Sequence, residues 1–299
     1  MKILVTGANS YLASNIIKAI LLEGYEVVAL IRQNASIDLL KSIQEKIIFD
    51  VYEESFESLL KVFQKHKPNV VVHLASFFVA EHQSNQIDSL LDANIRFGLY
   101  LLEAMKETGV SKLINTGSSW QYYDNNRKGY SPVCLYAATK QAFEDLAFFY
   151  YEANYLSVLN LMLYDTYGPG DPRKKLFHLF KMASQSHEPI LMSPGEQELN
   201  LVYIADVVKA YLSALKIILN SDKQFKNYAI RSNKTYPLRA IAELYSKVTQ
   251  VELNIRWGGR PYRKREVMIP YLHLESLPNW EPTIALEQGI KLLIVNENY

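Results

Sequence analysis

The sequence has little of several features that would assign it to particular classes of protein. Cysteine occurs once, at Cys134, so the chain can form neither an internal disulfide nor a cysteine-rich zinc site, which fits a reducing compartment. No run of about 18 apolar residues is present, so no membrane-spanning helix is expected. Neither sign of charge dominates, because 32 Lys and Arg residues balance 31 Asp and Glu residues. This balance gives no electrostatic reason to expect nucleic acid or an anionic membrane as a partner.

Two further absences bear on metals and on location. The six histidines show no metal-ligand spacing, so we predict no metal site. The chain begins MKILV and reaches Thr6 and Gly7 without the apolar core and cleavage site of a signal peptide, so we expect a cytoplasmic protein. Hydrophobic residues make up 49% of the 299 residues and charged residues 21%, which is typical of a folded globular protein.

What is present is an alternation of short apolar runs with segments of helical periodicity. The runs are rich in β-branched residues, as strands buried on both faces are. Six strands are predicted, at Ile3–Val5, Val27–Ile31, Ile47–Phe49, Val70–Leu74, Leu113–Asn115 and Ser157–Met162. Helices are predicted between them, at Tyr11–Glu23, Ile37–Gln44, Glu53–His66, Gln86–Thr108 and Ala137–Asn154. This alternation predicts an α/β fold of the Rossmann type, with a doubly wound parallel sheet.

The texture of the sequence changes after residue 165. A loop signal at 168–172 (GPGDP) is followed by prolines that break the chain into short pieces. We therefore predict a dinucleotide-binding domain over residues 1–165. Residues 166–299 are predicted to form mainly a smaller, substrate-binding lobe, with excursions back to the sheet.

The first strand leads directly into the segment TGANSYLAS and then into a helix. A strand–turn–helix at this place directs helix N–H groups at the pyrophosphate of a dinucleotide. The usual fingerprint is Gly-x-x-Gly-x-x-Gly, but only Gly7 is kept, with Ser10 and Ala13 at the other two positions. The motif alone is weak, because a plain strand–helix turn fits it equally well. The candidate cofactor-binding residues of this loop are Gly7, Asn9, Ser10, Tyr11 and Leu12.

The end of the second strand bears on which cofactor is used. An acidic residue there would hydrogen-bond the ribose 2′-hydroxyl of NAD, whereas this chain has Arg32. A guanidinium suits the 2′-phosphate of NADP. We predict a preference for NADP(H), with NAD(H) as the other possibility.

The strongest chemical signal is Tyr136 and Lys140, preceded by a serine pair at 118 and 119. Residues four apart share one face of a helix, so the ammonium and the phenol should be neighbours. The ammonium is expected to lower the phenol pKa from about 10 toward neutrality. The phenol could then serve as acid or base at a carbonyl or carbinol oxygen that a serine hydroxyl also binds. Ser118, Tyr136 and Lys140 are the predicted catalytic residues.

At these residues the chain resembles the extended short-chain dehydrogenase/reductase family, also called the NAD-dependent epimerase/dehydratase family. The resemblance extends over nearly the whole chain, from Thr6-Gly7 to the segment NLVYIADV at 200–207. It implies that Ser118 is the active-site serine, with Ser119 as second choice. It also implies a homodimer formed by the helices at 86–108 and 137–154. Further cofactor contacts implied by it are Asp50 (at the adenine), Leu74, Ala75, Ser76, Asn94, Thr116 and Tyr167 (at the nicotinamide), beside Tyr136 and Lys140.

Most members of this family act on nucleotide-diphosphate sugars, which require cations for their own pyrophosphate. The segment Arg265-Glu266-x-Met268 resembles a stretch of the reductases that make CDP-3,6-dideoxyhexoses. That resemblance makes Arg265 the first choice for a phosphate contact, Arg231 the second and Arg173 a further one. The run Trp120-Gln121-Tyr122-Tyr123 departs from the small residues that the family has after the serine. Other predicted substrate contacts are Ser119, Trp120, Gln121 and Asn200.

Several functions remain open at this point. The first is an NADPH-dependent reductase acting on the 4-keto group of a 4-keto-6-deoxy or 3,6-dideoxy sugar nucleotide. The second is an NAD-dependent epimerase with the same three residues, against which Arg32 argues. A dehydratase is disfavoured, because Trp120 and Gln121 stand where it needs an acid–base pair. A non-catalytic dinucleotide sensor is disfavoured because Tyr136 and Lys140 are both present.

Overall fold

The computed structural model describes residues 1–123, 125–126 and 129–297. Its strands, in chain order, are β1 (Lys2–Thr6), β2 (Glu26–Arg32), β3 (Ile48–Tyr52), β4 (Val70–His73), β5 (Lys112–Ser118), β6 (Ser157–Leu163), β7 (Asp165–Tyr167), β8 (Ile190–Met192), β9 (Glu198–Leu199), β10 (Leu201–Tyr203), β11 (Phe225–Ile230), β12 (Tyr236–Pro237) and β13 (Ile255–Trp257). Its α-helices are α1 (Tyr11–Leu22), α2 (Phe56–His66), α3 (Ile87–Leu91), α4 (Phe97–Thr108), α5 (Leu135–Glu152), α6 (Leu176–Gln185), α7 (Ile204–Asn220), α8 (Leu238–Thr249) and α9 (Leu286–Glu297).

Seven of these strands form one parallel sheet in the order β11-β6-β5-β4-β1-β2-β3. The chain direction across the sheet reverses beside β1, between β1 and β4. In open α/β sheets this switch point leaves a crevice at the carboxyl ends of the strands, where ligands bind. The predicted Rossmann-type α/β fold is confirmed, and all six predicted strands are present with slightly different ends.

Helices cover both faces of the sheet and give it two cores. On one face α1 and α7 pack against strand residues such as Ile3, Val5 and Val72. On the other face α2, α4 and α5 pack against residues such as Leu4, Val28 and Val71. Neighbouring residues of one strand thus enter opposite cores. This explains why the strands read as continuous apolar runs and not as alternating ones.

Two of the predicted helices differ from the observed structure. The segment predicted as a helix at Ile37–Gln44 is a 3₁₀ run at Asp38–Lys46, in which only Leu40 is buried. The helix predicted at Gln86–Thr108 is interrupted by a π-helical turn at Asp92–Arg96. A π turn often marks a functional place in a helix. Here it contains Asn94, whose side chain holds the chain that follows β4.

The second half of the chain adds small paired strands beside the carboxyl edge of the sheet. The pairs are β7 with β10, β9 with β12, and β8 with β13. Strand β11 returns to the large sheet and pairs with β6, and α7 packs on α1. The second half therefore both extends the sheet and closes the crevice at its edge.

None of the helices within the described part of the chain is long and apolar enough to cross a membrane. Nor do those residues bring together three or more His, Cys, Asp or Glu side chains able to hold a metal ion.

Candidate active site

A cavity of about 650 Å³ opens at the carboxyl ends of the central strands. Its volume lies in the range usual for small-molecule sites, and its position is the switch-point crevice. Many of the residues predicted from the sequence line it together: Ser10, Tyr11, Leu12, Leu74, Ser76, Thr116, Ser118, Ser119, Trp120, Tyr136, Tyr167, Arg173 and Asn200.

The turn between β1 and α1 depends on the glycine that the sequence keeps. Gly7 has φ +63°, and a Cβ there would stand 2.8 Å from backbone atoms of Ala75. The second position tolerates a side chain, because Ser10 has an extended φ of −81° and its hydroxyl caps α1 by accepting the N–H of Ala13 at 3.2 Å. Tyr11 fixes the loop by donating to the carbonyl of Pro169 at 3.1 Å. The helix N-terminus therefore opens on the cavity and fits a dinucleotide pyrophosphate.

The segment after β4 is fastened to the same turn. The Thr6 hydroxyl accepts the N–H groups of Leu74 at 3.1 Å and Ala75 at 3.2 Å. The same hydroxyl oxygen lies 2.8 Å from Nδ1 of His73, so the Thr6 hydroxyl can donate its hydrogen to that ring nitrogen. Burial, with a smaller effect of Lys140, holds the pKa of His73 well below its usual value, so the ring is neutral. Hydrogen bonds thus set the backbone of residues 74–76 beside the cofactor loop.

The three predicted catalytic residues meet in this cavity or directly below it. Ser118 ends β5, while Tyr136 and Lys140 lie on the first turns of α5. Burial raises the pKa of Tyr136 to about 12, and hydrogen bonds with the Ser76 and Ser118 hydroxyls offset only part of this. Burial also lowers the pKa of Lys140 to about 8, opposed by Glu144. The expected lowering of the phenol pKa is therefore wrong for this structure, because burial is the largest effect on the phenol. Tyr136 stands as a protonated phenol, which suits a proton donor.

Aromatic side chains form the roof over the phenol. The Phe78 ring lies edge-on to Tyr136 at 4.9 Å and beside Trp120 at 5.6 Å. The Arg263 guanidinium covers Trp120 at 4.9 Å. Phe78 is 54% exposed, although it is a large apolar residue. Sequence reasoning missed it, because one phenylalanine in a loop after a strand carries no distinctive pattern.

The arginines chosen from the sequence are placed less directly. Arg265 is not among the residues that line the cavity. It donates to the Pro132 carbonyl at 3.0 Å and the Ser131 hydroxyl at 3.1 Å, and it stacks on Tyr123. This first choice for a phosphate contact is therefore a clamp between two loops. Arg231 also lies off the lining, with a buried Nε that has no hydrogen-bond partner among the described residues.

Three other cations line the cavity: Lys175, Arg260 and Arg263. Burial lowers the pKa of Lys175, with Asp165 opposing it, so the ammonium stands in a poorly hydrated place. Arg173 also lines the cavity, but its guanidinium is held bidentately by Asp171 at 2.7 and 2.6 Å. Sequence reasoning did not single out Lys175. Nothing in its sequence surroundings distinguishes it from its exposed neighbour Lys174.

A carboxyl group that sequence reasoning missed also reaches the cavity. Asp165 begins β7, and its backbone N–H donates to the carbonyl of Asn200 at 3.1 Å. Burial raises its pKa, and Lys175 is the largest of the opposing effects. The cavity therefore presents a partly buried carboxyl group and a partly buried ammonium group that act on each other's pKa.

Three predicted contacts serve the protein's own structure instead. Gln121 is fully buried, and its amide bonds the Glu144 carboxylate at 2.9 Å, so it does not face a substrate. Asp50 lies within β3 and not after its end, where its carboxylate accepts from Lys65 at 2.9 Å and contacts His66 at 2.7 Å. Asn94 bonds the backbone of Phe77 on both sides and the hydroxyl of Thr139. The hydrogen-bonding groups of these three side chains are therefore used within the protein.

The remaining candidates keep their predicted places with additional constraints. Asn200 lines the cavity but uses its amide on the backbone of Ser232 at 3.0 and 2.7 Å. Thr116 bonds the hydroxyl of Tyr211 at 2.7 Å. The Tyr167 hydroxyl is buried without a partner among the residues described. Arg32 is exposed at the last position of β2, beside the loop.

The model of the NAD-dependent epimerase/dehydratase family matches residues 3–229 of the chain. The chain belongs to this family. A CDP-abequose synthase of Yersinia pseudotuberculosis is 29% identical over 90% of this chain and 92% of its own. A UDP-glucuronate 4-epimerase of Thermodesulfobacterium geofontis is 24% identical over 96% and 93% of the two chains.

Solved structures share the fold of this epimerase/dehydratase family member over its full length. A UDP-glucuronic acid 4-epimerase from Bacillus cereus, in complex with UDP-glucuronic acid and NAD, superposes with a TM-score of 0.86. It is 22% identical and covers 100% of both chains. The family resemblance read from the sequence is confirmed, and the protein is an enzyme of a nicotinamide-dependent type.

Proposed function

We propose that the protein is an NADPH-dependent reductase of the 4-keto group of a nucleotide-diphosphate 4-keto-6-deoxy or 3,6-dideoxy sugar, in the biosynthesis of surface polysaccharide. The observation that carries the proposal is the placing of the Tyr136 phenol beside Ser118 in the cavity, where burial raises its pKa and favours the protonated form. Reduction of a carbonyl needs a proton donor at its oxygen, whereas oxidation of a carbinol needs a base. The similarity to CDP-abequose synthase supports the same direction.

The bound dinucleotide would supply the hydride for this reaction. The chain's own residues do the rest. Ser118 donates a hydrogen bond to the carbonyl oxygen and aligns it with the phenol of Tyr136. Tyr136 gives its proton to the oxygen as charge develops there, and the Lys140 ammonium stabilises the phenolate that remains. Phe78 and Trp120 cover the phenol on one side.

The cofactor would lie along the loop between β1 and α1, with the backbone of residues 74–76 beneath it. Gly7 and the N-terminus of α1 would hold the pyrophosphate, and Tyr167 and Thr116 would border the nicotinamide. Arg32, exposed at the end of β2, would pair with the 2′-phosphate of NADP.

The cofactor preference can be tested at Arg32. We expect wild-type protein to bind NADPH more tightly than NADH, and Arg32→Ala to weaken NADPH binding by about 10- to 100-fold, because a charge-assisted hydrogen bond is lost. NADH binding should change little. Fluorescence titration with both cofactors measures this, with the exposed Lys18→Ala as the matched loss of one cation. Equal affinities of the wild type for the two cofactors would contradict the assignment.

The substrate's pyrophosphate would be held by Lys175 and Arg260, which line the cavity. We expect Lys175→Met to raise the KM for the sugar nucleotide about tenfold or more, because the substitution removes a partly buried ammonium whose ion pair with the pyrophosphate solvent would not replace. The Kd for NADPH should stay unchanged. The control is Lys174→Met, the exposed neighbour in the same loop. If both variants raised KM equally, a general charge effect would explain the result.

The activity itself is tested by the loss of NADPH absorbance when purified protein meets a CDP- or dTDP-linked 4-keto-6-deoxysugar. Rapid oxidation supports the reductase. The alternative is an NAD-dependent sugar-nucleotide epimerase, favoured by the similarity to a UDP-glucuronate 4-epimerase over 96% of the chain. An epimerase would interconvert two sugar nucleotides that carry no keto group, without net consumption of cofactor. That outcome, with no NADPH oxidation, would replace the first proposal by the second.

We further propose that residues 1–165 bind the dinucleotide and that residues 166–299 supply most of the substrate site. A cytoplasmic homodimer would form through the helices at 86–108 and 137–154. The exposed apolar side chains of Leu99 on α4 and of Phe148 and Phe149 on α5 support such an interface.

A further inference from the structure

A row of polar side chains, two of them buried and one partly buried, lies across three strands of the sheet below the active site. Asn115 on β5, Asn160 on β6 and Asn227 on β11 are direct neighbours in the strand register. Asn115 donates its amide to Asn160 at 2.8 Å, and Asn160 donates to Asn227 at 2.8 Å. Such a row is costly in an apolar core wherever an amide atom is unpaired. The Asn115 carbonyl oxygen has no partner among the described residues, whereas the hydrogen bonds continue toward Asn227.

The row ends on Glu144 of α5. One carboxylate oxygen accepts from the amide of Asn227, and the other accepts from Gln121 at 2.9 Å. Because both partners are NH₂ donors, Glu144 serves as an acceptor on both sides, which is the role of a carboxylate. Its side chain is buried, with 6% of the residue exposed.

Glu144 stands one helical turn after Lys140, on the same face of α5. Both are buried, with Lys140 4% exposed, and each acts electrostatically on the pKa of the other. An isolated ammonium in such a place would lose its proton, whereas a neighbouring carboxylate favours the charged form. The other titratable group facing Lys140 from a packed strand is His73, which is neutral and supplies no counter-charge.

Glu144 also reaches the active-site serine through one intermediate. The Gln121 carbonyl oxygen accepts the backbone N–H of Ser118 at 3.0 Å, while its amide donates to Glu144. Gln121 therefore connects the turn after β5 to α5. The Glu144 carboxylate thus acts electrostatically on Lys140 and is linked to Ser118 by hydrogen bonds through Gln121.

We propose that Glu144 is a positioning residue of the active site: it supplies the buried counter-charge that keeps Lys140 protonated and, through Gln121, fixes the turn that presents Ser118. The polar row from Asn115 to Asn227 holds Glu144 in place. The kinetic consequence rests on the proposed reductase activity, but the charge relation between Glu144 and Lys140 does not.

The first experiment is therefore an NMR titration of protein labelled with ¹³Cε-lysine, in which the Lys140 signal is assigned by its loss in Lys140→Arg. We expect Glu144→Gln to lower the pKa of Lys140 by about one unit or more, because a neighbouring negative charge is removed. Asn227→Ala is the matched control, since it removes a hydrogen bond to Glu144 but leaves the carboxylate. An unchanged Lys140 pKa in Glu144→Gln, or an equal shift in both variants, would overturn the proposal.

A pH titration of the wild-type protein is a second test, and it does not depend on the folding of a variant. Burial raises the pKa of Glu144, against the hydrogen bonds of Asn227 and Gln121. As the pH falls through that pKa, the Lys140 signal must move with the same midpoint. Asp145, which also acts on Glu144, is exposed and is removed in a parallel titration of Asp145→Asn. A Lys140 signal insensitive to this step would contradict the pairing.

Kinetics separate the two functions of Glu144. The alkaline limb of the kcat/KM profile should move to lower pH in Glu144→Gln, because Lys140 loses its proton earlier. Gln121→Met should instead lower kcat by about tenfold or more with the limb in place, because Ser118 is displaced while the charge remains. An unchanged kcat in Gln121→Met would refute the link to Ser118. If the wild-type protein itself does not oxidise NADPH, the reductase proposal fails. The NMR titration would still test whether Glu144 supplies the counter-charge of Lys140.

Discussion

Replacing Tyr136 by phenylalanine is expected to lower kcat by about 100- to 10,000-fold, the usual contribution of a positioned proton donor. The substitution removes only the hydroxyl, so the ring keeps its edge-on contact with Phe78 at 4.9 Å. The cavity should retain its shape, and the Kd for NADPH and the KM for the sugar nucleotide should change little. Rate measurements at saturating NADPH, together with cofactor titration, test this.

The matched control is Tyr155→Phe, at a residue that is 43% exposed and lies before the start of β6, at the opposite end of that strand from the cavity. It should keep the wild-type kcat and melting temperature. A Tyr136→Phe variant with unimpaired turnover would show that the proton comes from another group. A variant that lost activity and cofactor binding together would instead point to a collapsed site.

The second large effect is expected on stability, from Asp206→Ala. Asp206 lies in the first turn of α7 and is fully buried. Its carboxylate accepts the backbone N–H groups of Thr283 at 2.9 Å and Ile284 at 2.8 Å, and the Thr283 hydroxyl at 2.7 Å. Removing it leaves three partly buried donors without their charged acceptor, so we expect a loss of about 3–5 kcal/mol in the free energy of unfolding. Urea denaturation measures this loss.

The control for Asp206→Ala is Lys209→Met, which removes the charged partner 3.2 Å from the same carboxylate. The Lys209 side chain is 53% exposed, so its loss should cost less than about 1 kcal/mol. Similar losses in the two variants would mean that the ion pair, and not the capture of residues 283–284, stabilises this part of the fold. The region matters for the site, because α9 follows these residues and its Gly289 packs directly on Tyr167.

Local patterns in the sequence were sufficient for the architecture. Continuous β-branched runs predicted the strands because each is buried on both faces, and helical periodicity placed α1, α2 and α5 within a few residues. The spacing of Tyr136 and Lys140 predicted their shared helix face. The single retained glycine predicted the turn at Gly7, whose positive φ and contact with Ala75 allow no side chain.

Electrostatic and long-range features were not predictable in this way. The pKa of Tyr136 depends on how many atoms surround it, and residues as distant as Ser76 and Ser118 contribute to it. Arg265 was chosen as a phosphate contact on the strength of its neighbours in sequence, but Ser131 and Pro132 hold it on another loop. Lys174 and Lys175 are equivalent in sequence, and only the packing of the loop directs one of them into the cavity.

The sequence by itself determined the succession of strands and helices, the strained turn at Gly7 and the placing of two reactive side chains on one helix, because each depends on residues within a few positions. Only the tertiary structure decided which polar residues face the cavity and which form hydrogen bonds within the protein. Asn115, Asn160 and Asn227 lie far apart in the chain, and strand register alone brings them into the row that ends on Glu144. Hydrogen bonds between distant segments are set by the arrangement of the whole sheet, and no local pattern encodes them.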